Sequence, residues 1–229
     1  MNIAKSCIIF LSAWLICTVC LSQTIKCGEF YAKYNHLNFR NAPVFNESIN
    51  LESIDFERMQ AVIFFLTNEV RVKKRLGSLE HSWELENSAR MHAEDMVRGK
   101  FFSHINSLDA RKRTPNDRAR LNNISNPLLA ENIIEGYGLQ YISNETVYIW
   151  GKGKFSKTPE GELLKLHTYL TFGESLIKGW MNSKDHRNNI LAREAVQLGC
   201  GVAYFADPAF NDMPSFKAVQ NFQWYQSIK

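Results

Sequence analysis

The sequence predicts a single α+β domain built in layers, with helices first and an antiparallel pair of strands at the end of the chain. Apolar residues recur at helical spacing in three long stretches between residues 56 and 181. Two later stretches alternate apolar with small or polar residues, as strands do. The 229 residues, 45% of them hydrophobic, suffice for one core with an insertion or a tail. Helices followed by a strand pair favour an α+β arrangement over a parallel sheet.

The first 22 residues have the pattern of a signal peptide. Lys5 precedes an apolar run over residues 7–21, and Ser22 offers a small residue at the cleavage point. An uncleaved membrane anchor is the alternative, although the run is short for a bilayer span. No other long apolar segment follows. The cleaved chain is therefore predicted to be secreted or periplasmic, with no stable membrane span.

Cleavage after Ser22 would leave only two of the five cysteines, Cys27 and Cys200. In an oxidising compartment the two could pair and tie the N-terminal tail to a core strand. Two unpaired thiols, with Cys200 buried, are the equal alternative. The sequence leaves both open.

The first half of the chain is predicted to be mainly helical. Residues 23–54 have weak periodicity and are predicted to form an extended N-terminal segment. Apolar residues at steps of three and four then predict a helix: Phe56, Met59, Ile63, Leu66 and Val70. Gly77 ends that helix, and two more helices are predicted over residues 84–98 and 116–121.

The second half carries an insertion, a helix and the two strands. Residues 137–168, with Gly and Pro among scattered aromatic residues, are predicted to be the insertion. Its aromatic side chains either pack a hairpin or form the lip of an apolar ligand groove: Tyr137, Tyr141, Tyr148, Trp150 and Phe155. A helix over residues 170–181 has Trp180 as its core anchor, and strands are predicted over 196–205 and 216–224.

Composition and motifs exclude several function classes. The net charge of +4 comes without a dense basic stripe, which argues against a nucleic-acid partner. The chain has no HExxH helix, no GxSxG turn and no glycine-rich phosphate loop. The sequence therefore leaves catalysis uncertain and favours a protein that is not an enzyme.

Three short motifs each hold a titratable residue among residues suited to packing. They are FFSH with His104, AENI with Glu131, and WMNSKDHRNNIL with His186. A buried charge costs several kcal/mol unless it is paired, so such groups tend to meet. Periodicity alone does not show that these three converge. His92, on the apolar face of its helix, is predicted to be a core histidine.

The ordered set of motifs resembles the bacterial branch of the CAP superfamily, the cysteine-rich secretory, antigen 5 and pathogenesis-related proteins with an SCP domain. The set runs from NEVR through HAEDM, FFSH, RTPNDR, AENI and WMNSKDHRNNIL to LGCGVA, over about residues 59–222. The resemblance implies a three-layer α/β/α sandwich with a central antiparallel sheet. It also implies that residues 55–229 form the SCP-like domain, interrupted by the insertion at about 137–168.

The resemblance further implies a cleft of two histidines and acidic residues. The histidines fall on His104 and His186, and the first glutamate falls on Glu131, followed by Asn132 as a turn residue that pins the loop. Ser183 occupies the place of the second glutamate found in animal and plant members, which weakens any mechanism that needs two carboxylates. Some family members bind zinc in this cleft, so His104 and His186 are candidate Zn²⁺ ligands.

Two imidazoles and a carboxylate suit three roles. They suit a metal site with an open position, a coupled acid–base pair, and a structural hydrogen-bond network. The leading hypothesis is a secreted binding protein whose cleft takes a divalent metal or a small or lipid ligand, with a lipid, a sterol or an extracellular protein as partner. The alternatives are a metal-assisted hydrolase with His104, Glu131 and His186 as catalytic residues, and an interaction scaffold that uses the insertion.

Overall fold

The computed structural model describes residues 28–229. The predicted signal peptide and Cys27 lie outside this range, and Cys200 is buried in the core. The pairing of Cys27 with Cys200 therefore stays a prediction. Between residues 28 and 229, no helix combines the length and apolar character that crossing a bilayer requires.

A four-stranded sheet forms the middle of the domain. Its strands stand in the order β1, β5, β6, β2, which are Glu80–His81, Ala195–Asp207, Met213–Trp224 and Leu129–Tyr137. The three long strands pair antiparallel, as predicted. The short β1 pairs parallel to β5, so the sheet is mixed and the prediction of a purely antiparallel sheet is wrong at this edge. The two strands predicted from alternation, β5 and β6, are confirmed.

Helices cover both faces of the sheet and make it the middle layer of a sandwich. On one face α3 (Trp83–Arg98) packs against Ala203 and Val219. On the other face, α2 (Phe56–Lys73) and α5 (Tyr169–Asn182) pack against residues such as Val202 and Phe216. The alternation of Val202 and Ala203 between two apolar clusters is what a strand buried on both faces requires.

Two glycines explain how closely α3 approaches the sheet. A Cβ atom at Gly199 would lie 2.0 Å from the backbone nitrogen of Glu86. A Cβ atom at Gly201 would lie 2.1 Å from the backbone nitrogen of Arg90. No side chain fits in such a space, so the LGCGVA sequence is needed for the helix to lie directly on β5.

The predicted helices are confirmed to within one or two residues, because each begins at a residue that caps it. Asp55 and Ser82 cap α2 and α3 by accepting backbone N–H groups, and Thr168 caps α5. Thr114 and Asp117 form a capping box at the start of α4 (Pro115–Leu121). The seven-residue α6 (Lys184–Ile190) was not predicted, since only one of its residues, Ile190, is buried.

The N-terminal segment differs from its prediction. The chain there forms α1 (Glu29–Lys33) and two 3₁₀ turns over Phe39–Asn41 and Pro43–Asn46, rather than an extended segment. Phe30, Phe39 and Phe45 are buried in the same apolar cluster as α2 and α5. Aromatic residues at irregular spacing produce no helical or strand period, although they fill the core.

The insertion contains a small hairpin with an apolar cluster of its own. Strands β3 (Tyr148–Gly151) and β4 (Lys154–Ser156) pair antiparallel. Phe155 and Leu139 are buried with Met213, and Tyr137 and Tyr141 pack against them. Tyr148 and Trp150 remain exposed on β3. The hairpin-packing alternative therefore holds for three of the five aromatic residues named above.

Candidate functional site

The structure brings Glu131 and His104 together. Glu131 lies on β2, and His104 lies in the loop that follows α3. His104 Nδ1 is 2.9 Å from Glu131 Oε1. Since a carboxylate oxygen accepts, Nδ1–H donates, and the Nε2 atom of the ring is left facing away from Glu131. The His104 side chain is 47% exposed, whereas the Glu131 side chain is 2% exposed.

A buried arginine holds the other oxygen of Glu131. The guanidinium of Arg118, on α4, lies 2.7 Å from Glu131 Oε2, and its side chain is 0% exposed. Arg118 also donates to the carbonyl oxygens of His104 at 3.2 Å and Lys112 at 3.0 Å. One side chain therefore neutralises Glu131 and fastens the loop that carries His104. Sequence reasoning missed this role, although RTPNDR was among the family motifs.

His92 lies behind this pair, in the core as predicted. It is fully buried, and its Nε2 donates to the carbonyl oxygen of Ser103 at 2.9 Å. Its Nε2 is also 3.9 Å from Glu131 Oε1. Burial lowers the pKa of His92 to about 4, so the ring is neutral at physiological pH. Among the described residues, its Nδ1 atom has no hydrogen-bond partner.

His186 approaches the same place from α6. Its backbone carbonyl accepts a hydrogen bond from Asn132 Nδ2 at 3.1 Å. Burial lowers the pKa of its imidazole, and the positive charge of His104 lowers that pKa further. The two rings are thus close enough to sense each other's charge, as the prediction of a shared site requires.

Asn132 has a different role from the predicted one. It is a fully buried residue in the middle of β2 and not a turn residue. Its amide donates to Gln220 Oε1 at 3.1 Å and accepts from Asn189 Nδ2 at 2.9 Å. The same prediction of a turn was wrong for Glu131, because two polar residues hid a strand whose polar groups are all paired. Asn132 connects the sheet to α6 and so sets the position of His186.

Ser183 lies at the joint between α5 and α6. Its backbone N–H donates to the carbonyl of Trp180 at 3.1 Å, and its own carbonyl accepts from the backbone of Arg187 at 2.9 Å. Arg187 also donates to the carbonyl of Met181 at 2.8 Å, so the predicted pairing with a helix end is confirmed. Trp180 is fully buried, as predicted for a core anchor. A contact of Ser183 with a ligand stays a prediction.

A buried lysine fixes the base of the His104 loop. Lys217 Nζ donates to the carbonyls of Phe101 at 2.8 Å and Met96 at 3.2 Å. Burial lowers the pKa of this ammonium group. Because Phe101 begins the FFSH motif, Lys217 and Arg118 hold the two sides of one short loop.

The available donor atoms fit a metal through the two imidazoles better than through the carboxylate. Both oxygens of Glu131 are engaged, and the guanidinium of Arg118 would repel a cation bound to them. No cluster of three or more His, Cys, Asp or Glu side chains with metal-binding geometry occurs within residues 28–229. Glu131 therefore fits the part of a carboxylate that orients a ligating histidine. His104 Nε2 and the His186 ring remain as candidate ligands.

Comparison with known proteins gives one family and several relatives. The family model described as "CAP: Cysteine-rich secretory protein family" matches residues 64–222. The uncharacterized protein YkwD of Bacillus subtilis is 29% identical over 136 residues, which are 59% of this chain and 39% of YkwD. The uncharacterized membrane protein YlbC of the same organism is 26% identical over 140 residues, 61% of this chain and 30% of YlbC.

Among solved structures, an extracellular protein containing a SCP domain from Bacillus anthracis has the same fold. The TM-score is 0.50 at 24% identity, over 74% of this chain and 41% of that protein. The chain thus spans well under half the length of each of these relatives. The shared part contains the sheet, its helices and the residues around Glu131.

Proposed function

The chain belongs to the cysteine-rich secretory protein (CAP) family, and from this premise we propose that it is a secreted or periplasmic binding protein. Its ligand is held by the imidazoles of His104 and His186. Glu131, Arg118 and Asn132 set the positions of those rings. The ligand is a divalent metal such as Zn²⁺, or a small molecule whose polar group lies between the two histidines.

The observation that carries this proposal is the unequal availability of the polar atoms. Glu131 is buried and bonded at both oxygens, whereas the His104 ring is half exposed and has Nε2 free of Glu131. A carboxylate that fixes the tautomer and orientation of an imidazole raises the basicity of its other nitrogen. When bound, Zn²⁺ would supply a Lewis acid with open positions. Two protein ligands, rather than three or four, favour an exchangeable ion.

Calorimetric titration of Zn²⁺ tests the proposal. Wild type is expected to bind about one equivalent, and binding is expected to be lost in both His104→Ala and His186→Ala. His36→Ala is the matched control, since it removes a histidine of the N-terminal segment and leaves the pair intact. Equal weak binding in all four proteins would overturn the metal part of the proposal.

A further inference from the structure

A groove on another side of α3 has polar groups that the site at Glu131 does not use. It has a volume of about 450 Å³ and lies between the start of α2 and the first half of α3. It is lined by Phe56, Glu57, Gln60, Trp83, Glu86, Asn87 and Arg90. None of these residues belongs to the His104, Glu131 and His186 set.

Glu86 presents one oxygen to this groove. Its side chain is 5% exposed, and His81 Nε2 lies 2.8 Å from Oε2. The hydroxyl of Tyr31 donates to the same Oε2 atom. Oε1 of Glu86 has no hydrogen-bond partner among residues 28–229, although a buried carboxylate oxygen ordinarily has one.

Gln60 is the second, independent sign of a ligand. It is 3% exposed and lines the groove, yet its amide makes no hydrogen bond to another described residue. Leaving a buried amide without a partner costs about 1–3 kcal/mol. A polar ligand in the groove would remove that cost.

Glu57 adds a second carboxylate that has no cation. Its Oε1 accepts the backbone N–H of Gly28, and no Lys or Arg of the described residues forms a salt bridge with it. Burial raises its pKa, and the negative charge of Glu86 raises it further. The cation in the groove, Arg90, is engaged by Glu94 at 2.9 Å and by Asn87 Oδ1 at 3.2 Å. The Glu57 end therefore has uncompensated negative charge.

We propose that this groove binds a primary alkylammonium group, with Glu57, Gln60 and Glu86 as its acceptors. An –NH₃⁺ group has three donors and no acceptor, which matches three acceptor groups without partners. Phe56 and Trp83 supply aromatic surface for the carbon chain and for the cation. The volume suits a short chain, since sites for small molecules begin at about 300 Å³. A free amine and a lysine side chain of a polypeptide have this chemistry in common.

NMR titration at pH 7 tests the proposal, with n-pentylamine as the charged probe and n-pentanol as its neutral counterpart. Saturable shifts of the Trp83 indole and the Gln60 amide resonances are expected with pentylamine only. Nα-acetyl-lysine N-methylamide distinguishes the two sources. If it binds as pentylamine does, a lysine residue fits the groove, and if only pentylamine binds, the groove takes free amines. Both results support the proposal, and the absence of saturable shifts with both amines would overturn it.

Three variants show whether the amine binds at this place. Glu57→Gln and Glu86→Gln are each expected to weaken pentylamine binding about tenfold or more, since each removes a charged acceptor. Glu94→Gln, at the far side of Arg90, is the matched control and should leave the affinity within about twofold. Glu57 is half-buried and makes a single hydrogen bond, so its variant decides the matter if Glu86→Gln does not fold. Unchanged affinity in Glu57→Gln, or equal shifts with pentanol, would overturn the proposal.

Discussion

Glu131 and Glu86 make an informative pair. Both are buried glutamates within hydrogen-bond distance of a histidine, His104 for Glu131 and His81 for Glu86. Glu131 spreads its hydrogen bonds over both oxygens and has a buried guanidinium beside it. Glu86 accepts its two hydrogen bonds at one oxygen and has no guanidinium partner. A carboxylate that the protein satisfies completely positions its neighbours, whereas one with an unused oxygen remains available to a ligand.

Removal of Arg118 should have the largest effect. Arg118→Met leaves Glu131 buried without its cation, and breaking a buried ion pair costs about 3–5 kcal/mol. Urea unfolding at pH 7 measures this free energy. Arg120→Met, on the exposed side of the same helix, is the control and should change stability by less than about 0.5 kcal/mol. A loss below about 1 kcal/mol in Arg118→Met would mean that Glu131 does not need this partner.

The pH dependence of stability should show the neutral His92 behind Glu131. Its pKa in the folded protein, about 4, lies below the ordinary value of 6.5, so the unfolded chain binds the proton more readily. The contribution of His92 is present above about pH 6.5 and is lost as the pH falls toward 4. Between pH 7 and pH 4, wild type should lose about 3 kcal/mol relative to His92→Gln. Parallel stability curves for the two proteins would contradict a neutral buried His92.

Glu131→Gln separates an orienting carboxylate from a ligating one. If Glu131 only orients His104, the affinity for Zn²⁺ should fall by about 10–100-fold and remain measurable. If Glu131 is itself a ligand, the variant should resemble His104→Ala and lose binding altogether. Calorimetry gives the affinity, and amide hydrogen exchange at β2 checks that the strand is intact.

The smallest effect is expected from the same substitution at the other glutamate. Glu86→Gln keeps an oxygen for Tyr31 and His81 and strands no buried guanidinium, so it should cost about 1 kcal/mol. Glu131→Gln should cost more, because Arg118 stays buried beside an uncharged amide. Unfolding free energies of the two variants give the comparison directly. Equal losses would show that the difference between the two sites has no energetic consequence.

The regular elements could be predicted because their sequence patterns are local. Helices α2, α3 and α5 have apolar faces and capping residues, and β5 and β6 alternate between two cores. The meeting of His104, Glu131 and His186 could not be predicted from spacing, since it depends on contacts between distant segments. The resemblance to a family supplied that prediction, and the structure brings the three residues into one network.

What the sequence did not predict has physical causes. The AENI strand resembles a turn because its polar residues are satisfied only by distant partners such as Arg118 and Gln220. Arg118 itself looks like one more charged residue on a short helix until its burial is known. The N-terminal aromatic residues reach the core through short turns, whose irregular spacing gives no period.

The most direct test of the central claim is long-range ¹H–¹⁵N NMR of the imidazoles during a Zn²⁺ titration. The account predicts that the ring nitrogens of His104 and His186 shift together and saturate together, with the Nδ1–H of His104 retained on Glu131. Shifts confined to one ring, or loss of that Nδ1–H as the metal binds, would contradict it.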